Sequence, residues 1–397
     1  MSGSQVQFFN GRLSLLDHCA NIRNIKDCRL SLIHIPLDIY PHFVQVILKL
    51  ALPISPVLEK SQLFEARNGF GFSSFSPADS PRGCREFVNI SITPVECSIV
   101  CSVESAETLF RPIIATLDED GRDKVVISED EYVVIQVDGD DGNDAGQRVL
   151  DVTSPLALAG ISIFFITTYF SDYILLPSKS SSKVTKALLQ RGFVFEKHSE
   201  MFVTHRRSSS TPSVTETAPP LTPPPSTTVA ALQEKTFVTL KDRNVTPKVN
   251  LQTRLVRCAA RRAPGKAPSG ISDDERLYLG VVKCLVNQPQ YLSITLTDAN
   301  PASLLIQEDK LPLFGADDVL LGDKEEILIP ILLDLRDFPV DSTGIVCGVA
   351  GRLYGETCDG LFPGCEPVDM SYLSTARAGT VMVLEADIDR AMKALEI

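Results

Sequence analysis

The pattern of apolar and polar positions between residues 131 and 197 predicts one complete small α+β unit. A strand at 131–137 precedes a Gly- and Asp-rich loop at 138–146 and a helical segment at 147–160, which Pro155 is expected to kink or divide. There follow, in order, a hairpin within "ISIFFITTYFSDYILL" (161–176), an amphipathic helix at 181–192 and a closing strand at 193–197. The order β-α-β-β-α-β is typical of the ferredoxin-like fold.

The hairpin-then-helix pattern recurs elsewhere in the chain. Further hairpins are predicted at 87–103, 277–297 and 368–385, and helices are predicted after them at 104–113, 301–311 and 386–395. Strand-then-helix signals also precede the first and the last of these hairpins. We therefore expect an α+β protein with four ferredoxin-like (βαββαβ) units in two pairs, one pair on each side of a central linker.

Composition places the boundaries. The linker is "RRSSSTPSVTETAPPLTPPPSTT" at 206–228, which is too rich in Pro, Ser and Thr to form a packed core. The predicted units are 1–125, with an insertion at about 54–83, then 126–205, 229–327 and 328–397.

Charge and targeting signals narrow the function. With 38 basic and 50 acidic residues the net charge is −12, which disfavours nucleic acid and anionic membranes as partners. Neither a signal peptide nor a spanning helix is evident, and the ten scattered cysteines read best as reduced thiols, so we expect a cytoplasmic protein.

Catalytic and metal motifs fail on their spacing. The loop "DGDDGND" has Gly142 and Val149 where a calcium loop needs oxygen ligands. The glycines of "TGIVCGVAG" match neither dinucleotide nor P-loop spacing. We expect no catalytic residue, no metal and no cofactor. The basic stretch 254–266, at helical spacing, is either a solvated face or a docking patch for an acidic partner or a nuclear signal.

Two segments carry a family resemblance. "RVLDVTSPLALAGISIFFITTYFSDYILLP" and the region from "VDSTGIVCGVAGRLYG" to "ARAGTVMVLE" resemble the CASTOR family, cytosolic arginine sensors built from four ACT modules that bind the GATOR complex upstream of TORC1. By this resemblance the chain is a divergent, fungal-type homologue of the family. The resemblance implies an amino-acid ligand between the second and fourth modules. The implied ligand residues are Ser162, Ile163, Pro339, Ile345, Val346, Thr375, Ala376, Arg377, Ala378 and Gly379.

The chain departs from the family where the guanidinium is gripped. The family's Asp corresponds to Gly379, its aromatic positions correspond to Ala376 and Ala378, and Arg377 adds positive charge. A cationic ligand would lose a charge-assisted partner, so arginine is disfavoured and a neutral or acidic amino acid, or a lost site, is expected.

The hairpin tip keeps the family's partner-facing residues. In the family the same tip contacts the GATOR complex; Tyr169 and Asp172 match its Tyr and Asp, and Phe170 stands at the neighbouring polar position, although a plain turn explains the tip equally well. The sequence thus favours a non-catalytic, amino-acid-binding regulator that signals by partner binding. The alternative is a ligand-independent structural adaptor with a decayed site. A homodimer is left open.

Overall fold

The computed structural model describes residues 21–24, 29–52, 87–138, 145–196, 226–261, 273–298, 300–315, 319–339, 341–355 and 367–396. The strands are β1 Asn21–Asn24, β2 Leu30–Ile35, β3 Val88–Ile92, β4 Cys97–Ser102, β5 Val126–Ile127, β6 Tyr132–Asp138, β7 Phe164–Thr167, β8 Ser171–Pro177, β9 Val194–Glu196, β10 Lys248–Val249, β11 Leu255–Ala260, β12 Leu292–Leu296, β13 Ser303–Gln307, β14 Leu320–Leu321, β15 Leu328–Asp334, β16 Ser371–Ser374 and β17 Ala378–Leu384.

The helices lie between these strands. They are α1 Val44–Ala51, α2 Arg111–Thr116, α3 Glu119–Lys124, α4 Ala145–Leu158, α5 Ser181–Leu189, α6 Ser226–Asp242, α7 Asp273–Val286, α8 Ile345–Ala350 and α9 Ile388–Ala394. A helical segment, Val103–Phe110, leads into α2, and a wider π-helical turn, Gly351–Gly355, continues α8. Short 3₁₀ turns cover Tyr40–His42, Ser178–Ser180, Glu308–Phe314 and Glu385–Asp387.

The strands pair in four sets, numbered here as units in chain order, and every pairing within them is antiparallel except that of β1 with β9. The first unit pairs as β5–β2–β4–β3, the third as β14–β11–β13–β12 and the fourth as β10–β15–β17–β16. The second unit pairs as β6–β8–β7, and β1 is inserted between β6 and β9. In each unit, the second strand of the hairpin pairs with the first strand of that unit, which lies far away in the sequence.

The units join across the chain rather than along it. Strand β3 of the first unit pairs with β12 of the third over five residues, from Val88 to Ile92. Strand β7 of the second unit meets β16 of the fourth at Ile166 and Leu373. The expected pairing of consecutive units on each side of the linker therefore differs from these sheet contacts, which interleave the two halves of the chain.

The first and third units thus form one sheet, and the second and fourth form another. These two sheets also pair with each other at their ends. Leu30 of β2 pairs with Tyr132 of β6, and Leu255 of β11 pairs with Leu328 of β15. These contacts close a ring of twelve of the described strands: β2, β4, β3, β12, β13, β11, β15, β17, β16, β7, β8 and β6. Tyr132 and Leu255 are buried, so the corners of the ring are packed.

Three apolar layers hold this arrangement. One lies between the second and fourth units and their helices, a second lies between the first and third units and theirs, and a third fills the space between the sheets. Period-two alternation explains the separation: on β8, Ile174 and Leu176 face the helices, whereas Tyr173 and Leu175 face the other sheet. Each sheet is thus buried on both faces.

The third unit departs from its predicted elements. Residues 277–286, expected as a strand, belong to α7, and residues 303–307, expected as helix, form β13. The buried positions Leu277, Val281, Cys284 and Leu285 follow helical spacing. The apolar, valine-rich composition suggested a strand, and tertiary packing on α1 and the Glu308–Phe314 turn favours the helix.

The basic stretch and Pro155 also differ from expectation. Residues 255–260 are a strand, β11, and not a helix; Arg262 and Lys266 lie outside the described residues. Arg254 is paired with Glu308 at 2.7 Å and with Glu385, and Arg257 donates to Ser371 Oγ at 2.6 Å. Helix α4 runs through Pro155 to Leu158 without dividing.

The boundary after the linker is marked by helix α6. Residues 206–225 of the predicted linker lie outside the described residues, and 226–228 are helical. Both α6 and β10 pack on the fourth unit, through α8 and β15 respectively. Helix α6 thus begins inside the predicted linker, and all the proposed unit boundaries stay predictions.

Candidate functional site

A cavity lies between the second and fourth units, beside the junction of β7 and β16. It leaves about 60 Å³ for the centres of water-sized molecules, several times the ~10–15 Å³ that one water needs. The second unit contributes five lining residues and the fourth contributes the rest: Thr153, Ala157, Ile161, Ile163 and Phe164, facing Leu335, Phe338, Pro339, Ser342, Gly344, Ile345, Val346, Cys347, Tyr372, Ser374, Thr375, Ala376, Ala378 and Gly379. We call it the inter-unit cavity.

One wall of the inter-unit cavity is the start of α8. Gly344 precedes the helix with φ +85°, a left-handed conformation that glycine adopts without strain. The Gly344 carbonyl accepts a hydrogen bond from Thr236 Oγ1 of α6 at 3.2 Å. Helix α6 therefore fixes the turn that brings Ile345 and Val346 to the cavity.

Glycines let α6 lie close against α8. A Cβ added at Gly348 would lie 2.7 Å from the Thr236 Cβ, and one at Gly351 would overlap the Gln233 amide. Thr236 and Gln233 are both buried. Because these contacts leave no room for side chains, the position of the α8 wall depends directly on α6.

The opposite wall is the β16–β17 hairpin, where Tyr372 and Gly379 are diagonal neighbours. A Cβ at Gly379 would overlap the Tyr372 hydroxyl and lie 3.1 Å from its Cζ. Tyr372 is 1% exposed, and burial raises the pKa of its hydroxyl above the usual range. The phenol thus takes the space that a side chain at position 379 would occupy.

The serine and threonine hydroxyls of the lining are engaged with the backbone. Thr153 Oγ1 donates to the Val149 carbonyl at 2.7 Å, Ser342 Oγ donates to the Pro339 carbonyl at 2.7 Å, and Thr375 Oγ1 donates to the Ala378 carbonyl at 3.2 Å. Ser374 Oγ accepts the Phe165 N–H at 2.9 Å. Among the described lining residues there is no Asp, Glu, Lys, Arg or His. The inter-unit cavity is uncharged.

Cys347 is the thiol of the cavity wall. It is buried, with Sγ 3.5 Å from Ser154 Oγ, and burial raises its pKa. A thiol held protonated in this way is a poor nucleophile. Its contribution to the site is apolar packing.

Eight of the ten ligand residues implied by the sequence line the inter-unit cavity: Ile163, Pro339, Ile345, Val346, Thr375, Ala376, Ala378 and Gly379. Ser162 and Arg377 are not among the lining residues, and the main-chain groups of Arg377 are hydrogen-bonded elsewhere. The Arg377 N–H donates to Glu96 Oε1 at 2.5 Å, and its carbonyl accepts the Leu335 N–H at 2.9 Å. A ligand role for all ten residues stays a prediction.

Glu96 ties this hairpin to the first unit. It lies in the turn between β3 and β4, is fully buried, and its Oε2 lies 2.5 Å from His34 Nδ1. Beside it, Ser98 Oγ accepts the Ala376 N–H at 3.2 Å. The loop that borders the cavity is therefore held by polar contacts from the other sheet.

The hairpin tip combines exposed and buried residues. Tyr169 and Phe170 are each 37% exposed and pack edge to face, 4.9 Å between ring centroids. Asp172, in contrast, is 1% exposed and forms an ion pair with Arg148 Nε at 2.5 Å. Burial raises the pKa of Asp172, and the charge of Arg148 opposes that shift. Asp172 is thus not at the surface where a partner-facing residue was expected.

The tip also rests on the third unit. The Tyr169 N–H donates to Ser303 Oγ at 2.8 Å, and Asn300 Nδ2 lies 3.3 Å from both Ser171 Oγ and Tyr173 Oη. The outer faces of Tyr169 and Phe170 remain open. They form an exposed aromatic pair on a tip that is hydrogen-bonded to the third unit.

Sequence reasoning missed several cavity residues, including Tyr372, Phe338 and Thr153. Tyr372 lies in a predicted strand, and strand alternation from Ser374 would have placed it on the same face. Phe338 lies in an irregular loop, which carries no periodic signal. Thr153 lies one turn before Ala157 on α4, so helical spacing could have paired them.

Within the ranges that the structure describes, no group of three or more His, Cys, Asp or Glu side chains is arranged to hold a metal ion. None of the helices described is both long enough and apolar enough to cross a lipid bilayer.

Residues 127–190 match the model of the ACT domain family. The matched segment covers most of the second unit, whose strands and helices follow the ferredoxin-like order. The match spans well under half of the chain. A search of curated proteins found no match.

Solved structures with some similarity include three bacterial proteins. Protein Atu0741 from Agobacterium tumefaciens is 18% identical over 46% of this chain and 98% of its own, with a TM-score of 0.24. Aspartate kinase from Synechocystis is 9% identical over 96% of this chain and 56% of its own, with a TM-score of 0.31. The ligand-free regulatory subunit of aspartate kinase from Thermus thermophilus is 12% identical over 42% of this chain and 94% of its own, with a TM-score of 0.23.

Proposed function

We propose that this protein is a non-catalytic regulator built from four ACT-like modules, which binds an amino acid in the inter-unit cavity and signals through a protein partner. The observation that carries the proposal is the cavity itself. It lies between the ACT domain of the second unit and the equivalent elements of the fourth, and both contribute walls.

Ligand binding there would act by linkage. The cavity is shared by two units that meet at the strand pair of Ile166 with Leu373 and through the packing of α4 on α8. A molecule that contacts both units favours the arrangement in which its contacts are complete, and so changes the population of that arrangement. Because α6 backs the α8 wall and Glu96 holds the hairpin loop, the change reaches both sheets.

The exposed pair Tyr169 and Phe170 is the proposed partner surface. The tip lies on β7–β8, the hairpin whose β7 carries the junction to the fourth unit, so a shift at the junction moves the tip. The resemblance to the CASTOR family suggests a GATOR-like complex in a TORC1-like pathway. The buried Asp172–Arg148 pair supports the tip from beneath, instead of meeting the partner.

A structural adaptor without a ligand is the second candidate. The observation that favours it is the Tyr372 hydroxyl, which fills the space of a residue-379 side chain, together with a lining that offers no charged anchor. In this case the partner surface would work at any amino-acid concentration.

Differential scanning fluorimetry with the twenty amino acids distinguishes the amino-acid-binding regulator from the ligand-independent adaptor. A regulator predicts that at least one amino acid raises the melting temperature in a concentration-dependent manner, by mass action. The variant Ala157→Leu, which fills the cavity, is expected to abolish the shift. Ala115→Leu, on the exposed side of α2, is the matched control and is expected to keep it. No shift with any amino acid favours the adaptor.

The partner surface is tested by affinity capture from a lysate. The double variant Tyr169→Ala/Phe170→Ala is expected to lose the specific partner, whereas Leu189→Ala, at an even more exposed apolar residue on α5, is expected to retain it. An identical partner profile for both variants would return the tip to a structural role.

A further inference from the structure

We infer that the inter-unit cavity selects a small amino acid with an uncharged, hydrogen-bonding side chain, of the hydroxyl or amide class, and that the Tyr372 hydroxyl is the specificity-determining group. The inference rests on the proposed function, because it names the ligand class of the same cavity.

Charge decides the first part. The described lining contains no carboxylate, ammonium, guanidinium or imidazole side chain. A charged ligand side chain placed there loses its hydration without gaining a counter-ion, which is strongly unfavourable and adds to the cost of the α-ammonium and α-carboxylate groups that every amino-acid ligand shares. Arg377, the nearest charged residue of the hairpin by sequence, is outside the lining, and its N–H is bound to Glu96. Arginine, lysine, glutamate and aspartate are therefore excluded on the same physical ground.

The hydrogen-bonding groups of the lining indicate why Tyr372 determines the specificity. Thr153, Ser342 and Thr375 donate their hydroxyl hydrogens to backbone carbonyls, and Ser374 Oγ accepts a backbone N–H. The Tyr372 hydroxyl, by contrast, makes no hydrogen bond with any residue in the described part of the chain. It lies beside Gly379, itself a lining residue, in a side chain that is 1% exposed.

An unpaired buried hydroxyl discriminates between ligands. An aliphatic side chain placed against Tyr372 leaves the phenol without a partner and incurs the desolvation cost, whereas a hydroxyl or amide group provides one. Burial also raises the pKa of Tyr372, which keeps it in the protonated, donating form at neutral pH. The wall thus presents one neutral hydrogen-bond donor in an otherwise apolar pocket.

The cavity size limits the ligand further. Its 60 Å³ for the centres of water-sized molecules suits a short side chain, and Tyr372 shortens the pocket at the Gly379 end. Serine, threonine, asparagine and glutamine are the standard amino acids that meet both the size and the chemistry.

Isosteric amino-acid pairs test the inference by isothermal titration calorimetry. Threonine is expected to bind about tenfold more tightly than valine, which has the same shape and lacks the hydroxyl. Asparagine and glutamine are expected to bind, while aspartate and glutamate, which differ by charge, are expected not to. Threonine against valine tests the hydrogen bond, and the amide–acid pairs test the absence of charge.

The variant Tyr372→Phe removes only the hydroxyl. It is expected to bind valine as tightly as threonine, so that the tenfold ratio falls to about one, with the fold kept as judged by circular dichroism. Tyr132→Phe removes a buried phenol at the corner of the ring and is the control, expected to keep the ratio. If Tyr372→Phe fails to fold, the wild-type threonine-to-valine ratio still decides.

The possible outcomes separate the two proposals. Equal binding of threonine and valine to the wild type, or tight binding of a charged amino acid, overturns the assigned specificity and leaves amino-acid regulation standing. Binding of no amino acid at all, with the cavity-filling variant indistinguishable from the wild type, overturns the proposed function together with the specificity.

Discussion

Glu96 and Arg377 join the two sheets at the rim of the inter-unit cavity. The fully buried carboxylate of Glu96, from the first unit, accepts the main-chain N–H of Arg377, from the fourth, at 2.5 Å. Its second oxygen lies 2.5 Å from His34 Nδ1. One side chain therefore satisfies a donor of the cavity loop and a ring nitrogen of its own sheet.

Replacing Glu96 is expected to be costly. Glu96→Ala leaves the partly buried Arg377 N–H and His34 ring without their partner, a loss of about 2 kcal/mol in unfolding free energy. Urea denaturation measures it. Glu107→Ala, which breaks an exposed pair with Arg111 on one helix turn, is the control and is expected to change stability by less than about 0.5 kcal/mol. Equal effects would show that Glu96 is not a structural tie.

Gly379 and Tyr372 are expected to be energetically coupled. Gly379→Ala places a methyl group against the Tyr372 hydroxyl, an overpacking that costs about 1–3 kcal/mol. In a Tyr372→Phe background the colliding oxygen is gone and the same substitution is expected to cost clearly less. A double-mutant cycle by chemical denaturation gives the coupling energy, and strict additivity would place the phenol elsewhere.

Gly348 and Gly351 form a matched pair on the face of α8 and its continuation. Gly348→Ala meets the Cβ of Thr236, which is fixed to the backbone of α6, so a destabilisation of about 1–2 kcal/mol is expected after the gain in helix propensity. Gly351→Ala meets only the flexible end of Gln233, which can move away. Thermal unfolding of both variants should rank Gly348→Ala as the less stable; the reverse order would contradict close packing of α6.

Asp334 gives the fold a dependence on acid pH. Arg336 donates to both of its carboxylate oxygens, at 2.9 and 2.7 Å, and lowers the pKa of Asp334 below the ordinary value of 3.8. A lowered carboxyl pKa stabilises the fold above the unfolded-state value, and this contribution disappears as pH falls through the folded-state value.

The substitution Asp334→Asn tests that sign. It is expected to destabilise the protein at pH 7 by about 0.5–1 kcal/mol, since Arg336 is mostly exposed. The difference from the wild type is expected to shrink below about pH 4 and to vanish at lower pH. Unfolding midpoints in urea between pH 7 and pH 2.5 check this, and a difference that grew with acid would invert the assignment.

The units with strong local signals were predictable from the sequence. The second unit, with β6, α4, the β7–β8 hairpin, α5 and β9, follows the expected order, because Val, Ile, Phe and Tyr alternate in its strands and Gly160 and Gly192 adopt positive φ after its helices. In the third unit, a helix was predicted as a strand and a strand was predicted as a helix, because short apolar runs have no clear periodicity.

The site was predictable only as far as the resemblance reached. It brought Ile163 and Thr375 to one cavity, yet it could not reveal that Tyr372 occupies the space above Gly379, since that contact depends on strand register. Nor could it reveal that Asp172 turns inward to Arg148. Alternation along β8 places Asp172 on the same face as Ile174 and Leu176, and that parity was visible in the sequence.

Each half of the chain needs the other half to complete its sheets. Neither half contains a complete sheet: each supplies one unit to the β3–β12 pairing and one to the β7–β16 contact. Residues 1–205 and 226–397, produced as separate polypeptides, are therefore expected to assemble as complementing fragments when co-expressed and to aggregate when expressed alone, through the exposed edges of β3 and β12. The covalent connection then serves only to raise the local concentration of each half near the other. We therefore expect that the length of the linker can change without altering the fold.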